Sequence, residues 1–268
     1  MPCALTSGRL VLIRLLALAL AVLLLLALAS GCAQRRADRA VFDSGYAALE
    51  AGRWSQAVKD FSRYLRMDPD SPDRGEVYYY RGQALVHLSR RPEAKADFLR
   101  AVGAGARSPI DQFARVALGN LYYEEADDAE AVKQYAAVLQ DPHEEVPVPL
   151  VLLRTGVALA RLGRWTKGKR YLQYLMVHYP DSPAARQAGR YAAADAFRVQ
   201  TGAFSARASA AAQARQVRQA GFTPRLVRVM RSGRRLTAVQ TGRERTYSGA
   251  ASLAQRLRRA GFNTLIVP

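Results

Sequence analysis

Cysteine and histidine are scarce in this chain of 268 residues, with two of the first and three of the second. Cys3 and Cys32 both lie near the N-terminus, and His87, His143 and His178 are isolated from one another. A disulfide framework or a Cys/His metal site needs ligands in clusters, so neither is expected. HExxH, phosphate-loop and GxSxG patterns are also missing. Gly103 and Gly105 give a GxG without its third glycine, read as a loop. No catalytic residue, metal or cofactor is therefore expected, and binding is favoured over catalysis. Charge of one sign is missing too. Residues 197–268 hold 14 arginines, no lysine and a single acid, Glu244, for a net of +13. Residues 32–196 are nearly balanced, with 24 bases and 21 acids. Most of the overall +18 thus sits at the C-terminus.

One long hydrophobic run is present, at the N-terminus. Residues 10–28 read LVLIRLLALALAVLLLLAL, with Arg9 and Arg14 at its start and Ala29, Ser30 and Gly31 after it. A basic start, an apolar middle and a small-residue exit describe a secretory signal over 1–31. The uninterrupted stretch, 15–28, is short of the ~20 apolar residues of a spanning helix. The competing reading is a retained, tilted anchor in which residues 10–13 extend the span and Arg14 snorkels. Leu28-Ala29-Ser30-Gly31-Cys32 resembles the lipobox of bacterial lipoproteins. That resemblance implies acylation of Cys32 and a membrane anchor, followed by a short linker over 32–39. Several acyl chains would hold firmly, at ~0.8 kcal/mol per buried methylene. Ala33, where an Asp would imply inner-membrane retention, favours the outer membrane, with the protein facing the periplasm.

The middle is periodic. Gly45, Gly82, Gly119 and Gly156 recur every 37 residues. Twelve residues after each stands a small residue (Ala57, Ala94, Ala131, Gly168), and four further on a bulky one (Phe61, Phe98, Tyr135, Leu172). Pro69, Pro142 and Pro180 close three of the units, and the second closes near Pro109. The pattern resembles the tetratricopeptide repeat, in which small residues let paired helices approach and bulky ones fill between hairpins. It implies an all-α solenoid of four hairpins over 40–181 and a protein partner for its groove. The first unit reads as helices Val41–Ala51 and Trp54–Arg66 broken at Gly52, and 183–197 as one capping helix with Ser182 as N-cap. The spacing of 37 predicts longer turns than the family's usual 34. The acidic turn 124–128 is read as solvated, against a cation site.

A second repeat governs 197–268. Val199-Gln200-Thr201-Gly202 returns as Val239-Gln240-Thr241-Gly242, and Ala220-Gly221-Phe222 as Ala260-Gly261-Phe262, each 40 residues later. Helical stretches (206–220 and 248–260) and β-rich runs (225–230 and 263–267) complete a strand-helix-strand order, twice over. A small α+β, ferredoxin-like (βαβ)2 domain with a four-stranded antiparallel sheet follows. Here the chain resembles the SPOR domain, the sporulation-related repeat that binds peptidoglycan. The resemblance implies recognition of glycan strands stripped of stem peptides, which accumulate at the division septum. Strand alternation with Val199 and Val239 inward places Arg198, Gln200, Ala238 and Gln240 on the open face. Arg228 is expected to join them, and the family's first-strand glutamine matches Gln200. Ala203 stands where the family often has serine. Phe204, Phe222 and Phe262 are expected in the core.

The leading expectation is a cell-envelope lipoprotein that binds glycan and a protein partner. Alternatives are an outer-membrane or secretion assembly factor with a non-specifically basic C-terminus, a nucleic-acid binder on the same sheet topology, and a peptidoglycan enzyme. Against the nucleic-acid reading stand the export signal and the lack of exposed strand aromatics. Against the enzyme stands the lack of any segment left for a catalytic domain.

Overall fold

The structure, a computed structural model, describes residues 39–104, 109–231 and 233–268. The signal segment, Cys32 with its linker as far as residue 38, and Gly105 lie outside the described residues. No described helix is long and apolar enough to cross a membrane. The chain divides into two compact units at Asp111/Gln112.

The first unit holds two helical hairpins: α1 (39–50) with α2 (Trp54–Met67), and α3 (Arg74–His87) with α4 (Arg91–Gly103). Phe42, Phe61 and Tyr64 form the aromatic part of its core beside Ala48, Leu49, Ala57 and Val77. In the second hairpin, Arg81 donates twice to the buried Asp97 carboxylate, at 2.7 and 2.8 Å, and Arg100 donates at 3.1 Å.

The second unit continues with α5 (Ile110–Glu124), α6 (Asp128–Val138), α7 (Val148–Arg161), α8 (Trp165–His178) and α9 (Pro183–Ala192). Asp127 caps α6 by accepting from the Glu130 N–H, and Asp128 pairs with Arg161 at 3.3 Å. Two acids of the 124–128 turn are thus engaged within the fold. Ser182 caps α9 as expected, accepting from the Ala185 N–H at 3.1 Å. Helix α9 ends at Ala192 and not at 197, because Phe197 leaves the helical path to start a strand and bury its ring.

The 37-residue pattern has a direct packing cause. Each repeat glycine lies against the ring or branch 16 residues later: a Cβ on Gly45 would stand 2.9 Å from Phe61, on Gly82 2.6 Å from Phe98, and on Gly156 2.6 Å from Leu172. Gly119 meets Tyr135 in the same way. The glycine is a socket and the bulky residue its knob. Gly168 replaces alanine because a Cβ there would reach 2.6 Å from the Gly156 carbonyl.

After α9 come β1 (Phe197–Phe204), α10 (Arg207–Gln219), β2 (Pro224–Arg231), β3 (Arg234–Glu244), α11 (Tyr247–Arg259) and β4 (Leu265–Val267). The sheet order is β2-β3-β1-β4 with every pair antiparallel, the ferredoxin-like arrangement. Gly221 and Gly261, at φ +83° and +89°, end α10 and α11 in the left-handed conformation. Val199 and Val239 pack against Ala210, Ala214 and Val217 of α10 and Leu253, Ala254 and Leu257 of α11. Phe204, Phe222 and Phe262, expected in the core, are partly buried and pack against it.

Within this unit the sheet domain docks on the last hairpin. Trp165, Phe197, Ala160 and Ala250 form one buried cluster. Trp165 and Phe197 rings lie 4.9 Å apart, and Phe197 meets Tyr247 edge-on at 5.6 Å. The Arg161 guanidinium sits 4.2 Å from the Tyr123 ring centroid and 5.2 Å from that of Tyr247.

Candidate functional site

Cross-strand partners share a face of a sheet, so register decides which side chains converge. Gln200 is opposite Gln240, Gln240 is opposite Arg225, and Gln200 is opposite Leu265 on its other side. One row, Arg225–Gln240–Gln200–Leu265, therefore crosses all four strands. It faces away from the helices, because the intervening Val199, Val239 and Ile266 pack against them. A β-bulge between Gln200 and Gly202 shifts the pairing, so that Gly202 meets Val239 and Ala203 meets Ala238. Ala238 and Ala203 thereby share the open face with Val227.

Of the four glycan-binding candidates, the structure brings Gln200 and Gln240 together as direct neighbours. Gln200 is partly exposed, while Gln240 keeps 8% of its surface. Arg198 lies two residues along β1 on the same face, opposite Val267. Its side chain is 18% exposed, with Nη2 3.8 Å from Asp195. Its Nε is buried and has no hydrogen-bond partner. Asp195 also receives Arg243 at 2.5 Å, and that hydrogen bond holds its carboxyl below the usual range. Arg198 is thus tied to the segment that enters the domain.

Arg228 stands elsewhere. It is opposite Thr237, and Thr237 is opposite Phe204, whose ring packs on the helix-side core. The register sets Arg228 on the other side of the sheet from Gln200 and Gln240, contrary to the expectation from sequence. The reason is that β2 carries apolar residues on both sides: Val227 and Val229 face the open side, Leu226 and Met230 the other. Arg225 is the arginine that joins the glutamines, and the alternation 225-227-229 carries the signal for it once the valines are read as outward.

Chemically the row offers two carboxamides, able to donate and accept, beside a guanidinium suited to bidentate contact with a carboxylate. Nearby, a cleft of about 490 Å³ at the sheet edge is lined by Phe222, Arg225, Thr241 and Arg256. In the helical part of the same unit, a cleft of about 790 Å³ is lined by Tyr171, Tyr174, Tyr179, Leu152, Lys167 and Arg170. Its other wall includes Leu139 and Pro142, at the long turn between α6 and α7. No group of His, Cys, Asp and Glu among the described residues could hold a metal ion.

Comparison with known families finds a SPOR domain over residues 193–268 and tetratricopeptide repeats over 42–109 and 150–182. Among solved structures, a tetratricopeptide repeat protein from Parabacteroides merdae superposes with a TM-score of 0.52 at 14% identity, covering 59% of this chain and 59% of that one. That likeness shows the fold alone. Two further matches are MamA of AMB-1 (TM-score 0.49, 22% identity, 59% of this chain and 80% of that one) and pilF of Pseudomonas aeruginosa (0.48, 17%, 56% and 64%). A comparison with curated proteins returns no match.

Proposed function

We propose, from a chain that carries tetratricopeptide repeats followed by a C-terminal SPOR domain, that this protein is a cell-envelope lipoprotein which binds peptidoglycan through the sheet and a protein partner through the helical hairpins. Both modules bind, which supports a role without chemistry of its own. SPOR domains point to peptidoglycan, and tetratricopeptide repeats to protein–protein contact. The ligand is the glycan strand stripped of its stem peptides, and the place of action is the division septum.

The observation that carries the glycan reading is the row Arg225–Gln240–Gln200 on the open face of a domain with 14 arginines and one acid. A stripped strand bears a lactyl carboxylate on every muramic acid. Guanidinium groups engage such carboxylates in bidentate fashion, and carboxamides satisfy hydroxyl and acetamido groups between them. Cys32 supplies the second attachment, a lipid anchor in the outer membrane facing the periplasm.

The test is co-sedimentation with purified sacculi, before and after an amidase removes the stem peptides. Retention rises after amidase treatment, and Gln200→Ala with Gln240→Ala abolishes the rise. Retention that is indifferent to the amidase and vanishes at moderate salt overturns the reading. It leaves the alternative, an assembly factor whose basic C-terminus binds polyanions without selection. Palmitate labelling of wild type against Cys32→Ala tests the anchor separately.

A further inference from the structure

The open face does not end at the glutamine row. Along the β2–β3 hairpin the same face carries Val227 opposite Ala238, then Val229 opposite Leu236, then Arg231 opposite Arg234. Arg225, Arg231 and Arg234 are all exposed. The charge on this face is therefore split into two stations, Arg225 and the Arg231/Arg234 pair, with an uncharged saddle of Val227, Val229 and Leu236 between them. Arg225 and Arg231 are six positions apart on one strand, which at ~3.3 Å per residue is about 20 Å.

Among the described residues of its own domain, the outer station has no carboxylate partner. Glu244 is the only acid of residues 197–268, and it lies at the far end of β3, opposite Phe197. Two like charges directly opposed across a strand pair are destabilising. No carboxylate among the described residues of the domain offsets that repulsion, so the arrangement suits a counter-charge from outside.

We infer that the β2–β3 hairpin is a second glycan station, so that this chain grips a run of stripped strand bearing at least two separated lactyl carboxylates. The inference rests on the glycan reading above. A carboxylate recurs on every second sugar, with an uncharged, acetamido-bearing sugar between. Stations this far apart take carboxylates separated by more than one repeat, with the saddle under the sugars between them. The inner station takes one carboxylate beside Gln200 and Gln240, the saddle lies under the C–H faces of the sugars, and Arg231 with Arg234 takes a carboxylate further along the strand. The right-handed twist of a two-stranded ribbon gives the path a curve. Two stations on one ligand make the second contact intramolecular, which raises avidity only for strands long enough to span both.

The experiment is calorimetric titration of the full protein with two amidase-stripped glycans, a disaccharide with a single carboxylate and an octasaccharide with several. Wild type is compared with the double variant Arg231→Ala, Arg234→Ala, whose changes lie at an exposed hairpin end. The expected result is equal disaccharide affinity for the two proteins and an octasaccharide affinity lower in the variant, on the order of tenfold or more. Gln200→Ala weakens both glycans, which marks the inner station. If wild type binds neither glycan, the glycan reading falls and this inference with it. If wild type binds and the variant is unchanged, or loses both glycans equally, only the second station falls. Loss of binding to phosphatidylglycerol vesicles with octasaccharide binding intact assigns the hairpin to a membrane surface and overturns the inference.

Discussion

The indole Nε1–H of Trp165 donates to the backbone carbonyl of Arg245 at 2.8 Å, across 80 residues of chain. Trp165 opens α8 of the last helical hairpin, and Arg245 precedes Thr246, the N-cap of α11 in the sheet domain. The bond sits beside a cluster in which Trp165, Phe197 and Ala250 are all buried. A backbone acceptor fixes position as well as energy, because it cannot rotate away. Gly163, in the preceding turn, makes room for this approach: a Cβ there would lie 3.3 Å from the Arg245 carbonyl oxygen.

Trp165→Phe is expected to keep the tilted ring contact with Phe197 and lose only the hydrogen bond, at about 1 kcal/mol. Trp165→Ala also empties the cluster, at about 3–5 kcal/mol. Denaturant unfolding gives both values. Limited proteolysis reads the same loss locally, as faster cleavage in residues 193–196 for the alanine variant alone.

The glycine sockets predict opposite signs for one kind of substitution. Gly119→Ala drives a Cβ into the Tyr135 ring and is expected to destabilise by about 1–3 kcal/mol. Gly189→Ala, in α9 with nothing within 4 Å of the added carbon, is expected to stabilise by up to about 1 kcal/mol through helix propensity. Thermal unfolding of the two variants side by side checks the contrast.

The Arg81–Asp97 pair is bidentate, with the Asp97 carboxylate buried and Arg81 17% exposed. Asp97→Ala leaves Arg81 without its carboxylate and is expected to cost about 3–5 kcal/mol. Replacing Arg90, which pairs with Glu93 on the exposed surface, is expected to cost under about 1 kcal/mol. Chemical denaturation of each single variant measures the difference.

Alkaline pH weakens the fold through buried phenols. Burial pushes Tyr79 and Tyr135 from 10.0 up to about 12, and Tyr135 donates to Asn120 at 2.7 Å. Above pH 10 the unfolded chain releases these protons while the folded one holds them, so stability falls as pH rises toward 12. The expected outcome is a folded protein whose ultraviolet phenolate signal stays incomplete until unfolding. Tyr135→Phe shallows the stability slope in that window by up to one proton.

Much of this fold is legible because its contacts are periodic. A glycine and a bulky residue 16 positions later recur four times, and the structure shows that each recurrence is one contact. The doubled Val-Gln-Thr-Gly likewise marks the two central strands, β1 and β3. What pattern could not carry is register. Arg228 and Arg225 are chemically alike and three positions apart on one strand; alternation sets them on opposite sides, and only the pairing of β2 with β3 shows which of them joins the glutamines. The Trp165–Arg245 bond is equally silent in sequence, because its acceptor is a main-chain carbonyl that any residue supplies.

The socket-and-knob contact has a consequence for how such a chain can change in length. Glycine and ring lie within a single hairpin, so a duplicated stretch of 37 residues carries both halves of its defining fit. The slot accepts phenylalanine, tyrosine or leucine against bare backbone, so copies can drift in what fills it. The length of the helical part then becomes a heritable quantity, adjustable by whole hairpins without redesigning the C-terminal domain.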